Sequence, residues 1–149
     1  MEEYHLIQSI PGIGKRTSPI LISSIGNIEK FNHVNQLLSF WGLNLCYYQS
    51  GQYEGQKKIS KQGDKKVRHA LWLAVQDIYH RGDVAENIFY ETWERKTQGR
   101  TLTAIQQRKL KVMLMVKMAR IIYTVLKSRT PYGVKSQGKE DQAFRMKAA

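Results

Sequence analysis

Two tracts of this sequence hold residue types that could meet a phosphodiester. The first is Ile10-Pro11-Gly12-Ile13-Gly14-Lys15-Arg16-Thr17. Its glycines permit a tight turn between two helices, and such a turn can aim backbone N–H groups and a helix N-terminus at one phosphate while Lys15 and Arg16 supply charge. That contact grips a backbone without reading bases. Gly12 and Gly14 would equally let two helices pack closely, so both readings stand at this point. A Walker A loop is excluded, because Gly14-Lys15 has no glycine five residues upstream and is followed by Arg16 rather than Ser or Thr.

The second tract is Ser50-Gly51 and the run that follows it, in which Lys57, Lys58, Lys61, Lys65, Lys66 and Arg68 face a single acid, Asp64. A serine hydroxyl attacks poorly until a base takes its proton, and attack at phosphorus builds negative charge on the non-bridging oxygens, where Lys or Arg stabilises it. Ser50 beside a glycine can approach a nucleic-acid backbone closely, with Lys58, Lys61 and Arg68 as clamps and Ser60 as the alternative hydroxyl. The plainer reading is a solvated basic loop with a turn serine. Elsewhere, His5, His33, His69 and His80 lack zinc-ligand spacing and read as surface or packing residues. Cys46 reads as a small buried hydrophobe. Trp41, Trp72 and Trp93 suit helical core positions, whereas Tyr47, Tyr48 and Tyr53 flank the basic run and suit either a core or stacking on unpaired bases.

The elements that must position these tracts follow from periodicity. The pattern predicts a short helix from Tyr4 to Ile10, a hairpin at Pro11 to Gly14 and a second helix from Thr17 to Ile25, in which Pro19 falls early enough to be tolerated. Asn32 is a candidate cap for a third helix with Val34, Leu37, Leu38 and Trp41 on one face. Leu43 to Lys61 reads as a flexible loop or small irregular hairpin. Asp64 caps a helix carrying Val67, Leu71, Ala74, Val75 and Ile78. Another runs from Val84 to about Lys96 with Ile88, Phe89, Thr92 and Trp93 inward. Thr101 or Thr103 starts the longest helix, whose apolar positions Ile105, Val112, Val116, Ala119, Tyr123 and Leu126 are widened by Leu110, Met113, Leu114, Met115, Ile121 and Ile122. A face that wide suits either a central position in the core or an interface with a second copy. The fold class is therefore all-α: two helices about a hairpin, a basic serine-bearing loop, and a helical bundle with one long C-terminal helix. The domain spans 1–132, and 133–149 reads as a basic flexible tail.

Composition narrows the partner. Of 149 residues, 24 are Lys or Arg and 12 are Asp or Glu, giving a formal charge of +12, while 42% are hydrophobic, enough for one sizeable core. An excess of that size draws a chain toward a polyanion, first nucleic acid and then anionic membrane. One cysteine excludes a disulfide framework within the chain and fits a reducing compartment. The N-terminus carries acids where a signal peptide carries bases, and no apolar run approaches the ~18 residues of a membrane span. A soluble cytoplasmic, nucleoid-associated protein is expected.

The ordered set Ser9-Ile10-Pro11-Gly12-Ile13-Gly14, Thr17, Ile25-Gly26-Asn27-Ile28, Phe31, Trp41-Gly42-Leu43, Ser50-Gly51, Ile59-Ser60-Lys61-Gln62-Gly63, Arg68 and Ala70-Leu71 resembles the C-terminal transposase domain of the insertion-sequence 110/116/902 family. These are serine-dependent recombinases guided by a bridge RNA and related to the Piv invertase. Leu45 departs from the pattern, standing where the family usually has proline. The resemblance implies that Ser50 is the nucleophile, forming a covalent phosphoserine link to a cut DNA strand. It also implies DNA and a guide RNA as partners, a homo-oligomer and no ATP. This chain carries no cofactor in that reading. A divalent metal, Mg, is expected in an N-terminal RuvC-like domain for which 149 residues leave no room, and the isolated chain is expected to be inactive. Two readings from other classes remain: a non-catalytic helix-hairpin-helix binding module, and an assembly remnant in which nothing reacts.

Overall fold

The computed structural model describes residues 2–46, 49–50, 53–54, 58–81 and 88–133, with backbone alone at 49–50, 53–54, 81 and 88. Six α-helices appear in chain order: α1 Glu2–Gln8, α2 Thr17–Ile25, α3 Val34–Phe40, α4 Lys65–Arg81, α5 Ile88–Thr97 and α6 Ala104–Ser128. A 3-10 turn at Ile28–Lys30 lies between α2 and α3. The helical class expected from periodicity is what the chain adopts. The expected tail, Val134 to Ala149, lies outside the described residues, as does Gly82, the expected stop of α4.

Helices α4 and α6 form the centre. The first packs on α2, α5 and α6, and the second on α1, α3, α4 and the 3-10 turn. On α4 the buried residues include Val67, Leu71, Ala74, Val75 and Ile78, the face that the spacing gives. Each large side chain so buried contributes about 1.5–3 kcal/mol. On α6 the buried row is Leu110, Leu114, Met118, Ile122 and Val125, flanked by Met115, Ala119, Ile121 and Leu126. Ile105 does not belong to it, being 66% exposed in the first turn, and Val112, Val116 and Tyr123 sit at its edge, partly buried. The wide face is therefore covered by the chain's own α1, α3 and α4. Met113, Leu114, Val116 and Ile121 accordingly give no ground for self-association, because Leu114 and Ile121 are buried and the other two pack against the same core.

Caps explain the helix starts. At α6, Thr103 Oγ1 accepts from the Gln106 N–H at 3.3 Å while Gln106 Oε1 accepts from the Thr103 N–H at 3.0 Å, a complete capping box. At α4, Asp64 Oδ1 accepts from the Lys66 N–H at 2.8 Å, as expected. At α3 the expectation fails: His33, not Asn32, holds the cap position and makes no side-chain cap bond. Gln36 Oε1 accepts from the Asn32 N–H at 2.7 Å, so the first turn reaches back for the preceding residue instead. After α6, Arg129 takes a left-handed conformation and the chain returns to the first turn, where the Tyr132 N–H donates to Ser9 Oγ at 2.7 Å.

Of the loop and the small irregular hairpin expected from Leu43 to Lys61, the described residues take the hairpin. Strands β1 Leu45–Cys46 and β4 Lys58–Ile59 pair antiparallel, and β2 Gln49–Ser50 pairs with β3 Tyr53–Glu54. The two ladders nest within one arm of the chain, Leu45 opposite Ile59 and Ser50 opposite Tyr53. Cys46 within it is half-buried rather than buried.

Candidate functional site

The turn between α1 and α2 separates the roles of its two glycines. Gly12 has φ +84°, and a Cβ there would lie 2.6 Å from the Ala74 carbonyl oxygen and 2.7 Å from the Ile78 side chain. Close packing on α4 therefore requires this glycine. Gly14 has ordinary backbone geometry and open space around it. Its N–H donates to Thr17 Oγ1 at 3.0 Å, and its carbonyl accepts from the Ser18 N–H at 3.0 Å and from the Ser18 hydroxyl at 2.6 Å. Lys15 and Arg16 thus stand in the turn just before α2, Arg16 at its cap position, with both side chains exposed. Pro19 follows without breaking the helix, as expected, since the carbonyl it leaves unmatched is that of exposed Lys15.

The basic run divides in a similar way. Lys58, Lys61, Lys65 and Lys66 are exposed, and among the described residues no carboxylate pairs with them. Lys57 lies outside the described residues, with Gly51, Tyr47 and Tyr48. Arg68 is half-buried, and its Nη1 donates to the Trp41 carbonyl at 3.2 Å. Ser60 is also half-buried: its hydroxyl donates to Asn44 Oδ1 at 2.6 Å, and its N–H donates to the Asn44 carbonyl at 2.9 Å. The Lys61 N–H donates to the Gly42 carbonyl at 3.0 Å. Gly42 (φ +69°) and Gly63 lie against each other, such that a Cβ on Gly63 would come within 2.6 Å of the Trp41 carbonyl carbon. Trp41 is fully buried and its indole N–H donates to Ser24 Oγ at 3.1 Å. The motifs Trp41-Gly42, Ser60-Lys61-Gln62-Gly63 and Arg68 thus meet at one junction under the arm.

Ser50 itself is placed by backbone alone, in β2. Asn44 is not visible as a site residue from the sequence, because its partner Ser60 is sixteen positions away and meets it only once the register of β1 and β4 is fixed. The turn of Gly12 contacts α4 at Ala74 and Ile78, while the junction contacts it at Arg68. At 1.5 Å per residue the points where the turn and the junction touch α4 are about 9 to 15 Å apart along its axis. A cleft of about 590 Å³ is lined, among the described residues, by Tyr79, His80, Tyr90, Trp93, Glu94, Thr97 and Gly99.

Among the described residues no group of three His, Cys, Asp or Glu side chains could hold a metal ion, and none of the helices is long and apolar enough to cross a membrane. Lys117, on the buried side of α6, donates to Thr92 Oγ1 at 3.0 Å and ties α5 to α6.

A pilin gene-inverting protein of Moraxella bovis is 30% identical over 128 residues, covering 85% of this chain and 38% of that protein. The transposase for insertion sequence element IS1111A of Coxiella burnetii is 28% identical over 111 residues, covering 72% of this chain and 30% of the relative. An insertion element IS110 protein of Streptomyces coelicolor is 23% identical over 129 residues, 87% of this chain and 31% of its own length. The chain therefore spans about a third of the length of these relatives. The family model for transposases of the IS116/IS110/IS902 type matches residues 4–90, from α1 into α5 and across the whole junction and arm. With more than half of its length so matched, the chain belongs to the IS116/IS110/IS902 transposase family.

Proposed function

We propose that this chain is the strand-joining domain of a DNA transposase or recombinase, with Ser50 as its nucleophile. The observation that carries the reading is the arm: the serine of the Ser-Gly pair stands on a paired strand, and the base of the arm is bonded to Gly42, next to the buried Trp41, where Lys58, Lys61, Lys65 and Lys66 are exposed. In the step envisaged, a base takes the Ser50 proton, the Oγ–P bond forms, and one P–O bond to a deoxyribose breaks as the leaving oxygen gains a proton. Rejoining reverses the step with a deoxyribose hydroxyl as nucleophile. The phosphodiester energy is conserved in the covalent link, so no ATP is needed.

Lys15 and Arg16 on one side, and Lys58, Lys61 and Lys65 on the other, grip the DNA backbone, with the neighbouring Lys57 adding to the second group. Two such groups on one domain would hold two phosphates of one bound segment. Target choice by a guide RNA, the divalent metal in a RuvC-like domain, assembly of more than one copy and association with the nucleoid are proposed on the resemblance alone. The test uses the intact recombinase. Ser50→Ala is expected to abolish the denaturant-resistant protein–DNA adduct while leaving DNA affinity within about twofold, since losing one hydroxyl removes none of the charges that grip the backbone. An adduct that persists in Ser50→Ala contradicts the assignment.

A further inference from the structure

We infer that Asn44, Ser60 and Arg68 form a brace that sets the position of the Ser50 arm, and that they are positioning residues rather than DNA contacts. The brace rests on the reading of Ser50 as nucleophile. Asn44 and Ser60 are the residues on either side of the outer ladder, immediately before β1 and immediately after β4. They are joined twice, by the backbone bond at 2.9 Å and by the hydroxyl-to-amide bond at 2.6 Å. One bond fixes the separation of the two strands, and the second fixes their rotation about each other. Below them Lys61, in a left-handed conformation at φ +56°, bonds Gly42, and the Gly42 and Gly63 backbones touch. Arg68 crosses from α4 to the Trp41 carbonyl at the end of α3, where that orphan acceptor needs a donor. The guanidinium thus joins α4 to the end of α3, one residue before the Gly42 carbonyl to which the base of the arm is bonded.

Among the described residues, contacts elsewhere do not supply this direction: none of the four strands packs extensively on a helix, and Ile59 is the strand residue that reaches the core. From Asn44 to Ser50 the chain can extend about 20 Å. At that reach a tilt of roughly 5° at the base displaces the serine by roughly 2 Å, and a misplacement of about 1 Å can cost about 100-fold in rate. The basic character of Arg68 invites a phosphate role, but the side chain is half-buried and spends one of its five N–H donors on a backbone carbonyl, while Ser60 already donates its hydroxyl proton to Asn44.

The experiment compares conservative and truncating substitutions in the intact recombinase, reading single-turnover adduct formation, DNA affinity against salt, and melting temperature. Asn44→Ala, Ser60→Ala, Arg68→Ala and Arg68→Lys are expected to slow adduct formation about 10- to 100-fold with affinity and salt slope unchanged. Asn44→Asp keeps the acceptor and Ser60→Thr keeps the donor, and both are expected to recover most of the rate. Arg68→Lys is the decisive member, because it preserves charge for a phosphate but not the guanidinium geometry that reaches Trp41. Near-normal cleavage by Arg68→Lys, together with a salt slope lowered by about one in Arg68→Ala, makes Arg68 a DNA contact and overturns the brace. So do unchanged rates in Asn44→Ala and Ser60→Ala, or a failure of Asn44→Asp and Ser60→Thr to recover. Ser50→Ala separates the two readings. If it still forms the adduct, the nucleophile assignment falls and the brace with it; if it is dead while the brace variants are normal, the brace alone falls.

Discussion

The helical body and the arm are stabilised in different ways. In the body, α4 and α6 bury continuous faces, and the side chains that matter are apolar: Leu71, Leu114, Met118 and Ile122 are almost fully hidden. The arm consists of two-residue strands held at one end by hydrogen bonds and by glycine–backbone contacts. Short two-stranded pairs have little stability of their own in water. Stability and chemistry are thereby kept apart: the body sets whether the domain exists, and the junction sets where the serine stands.

This division fails if body substitutions spare the fold. Leu71→Ala, in the fully buried face of α4, is expected to cost about 2–5 kcal/mol, read as a lower midpoint in denaturant titration. An effect below about 1 kcal/mol would mean that α4 is not central. The two turn glycines carry the same contrast within one motif. Gly12→Ala is expected to cost about 2 kcal/mol or more, because a left-handed position gains a Cβ that meets the backbone of α4. Gly14→Ala, with open space and ordinary φ, is expected to change stability by less than about 0.5 kcal/mol. Equal effects of the two would remove the distinction drawn between them.

Binding should follow charge rather than core. Lys15→Ala combined with Arg16→Ala is expected to leave melting unchanged and to reduce the salt slope of DNA binding by about two, one for each phosphate no longer neutralised. Homopolymer and mixed-sequence DNA should weaken alike. A weakening confined to one sequence would point to base readout instead.

The smallest effect is expected at the edge of the body. Lys127 Nζ lies 2.9 Å from Glu29 Oε2, and that hydrogen bond, then its charge, holds the Glu29 carboxyl below the ordinary carboxylate range. A lowered carboxyl stabilises the fold at pH above its unfolded value and loses that contribution as pH falls through the folded one. The melting difference between the native chain and Glu29→Gln should therefore be small and constant near neutrality, then vanish in acid. A difference that grows on acidification contradicts the sign.

Periodicity makes much of the body legible. The inward residues of α4 and α5 are readable because apolar side chains recur at helical spacing, and Asp64 and Thr103 because caps have a local signature. The long helix is harder. Its apolar residues lie on more than one side, so the stripe through Ile105 and Val112 looks as good in sequence as the buried row through Leu110 and Leu114. The wide face is also ambiguous between core and second copy, which only packing resolves. At the site, Trp41-Gly42, Ser60 to Gly63 and Arg68 stand out as motif pieces, but their meeting at one junction depends on hairpin register. Arg68 and Lys61 look alike as charges in sequence. The structure gives one a carbonyl partner and leaves the other at the surface.

Everything proposed for the arm turns on the Ser50 hydroxyl carrying the cut strand, and locating the covalent link decides it. In the intact recombinase, the trapped adduct would be digested with nuclease and trypsin, and the nucleotide remnant placed by fragmentation mass spectrometry. The remnant is expected on Ser50, within the peptide from Phe31 to Lys57. A remnant on Ser60, or on Tyr47, Tyr48 or Tyr53 in the same region, would contradict the assignment.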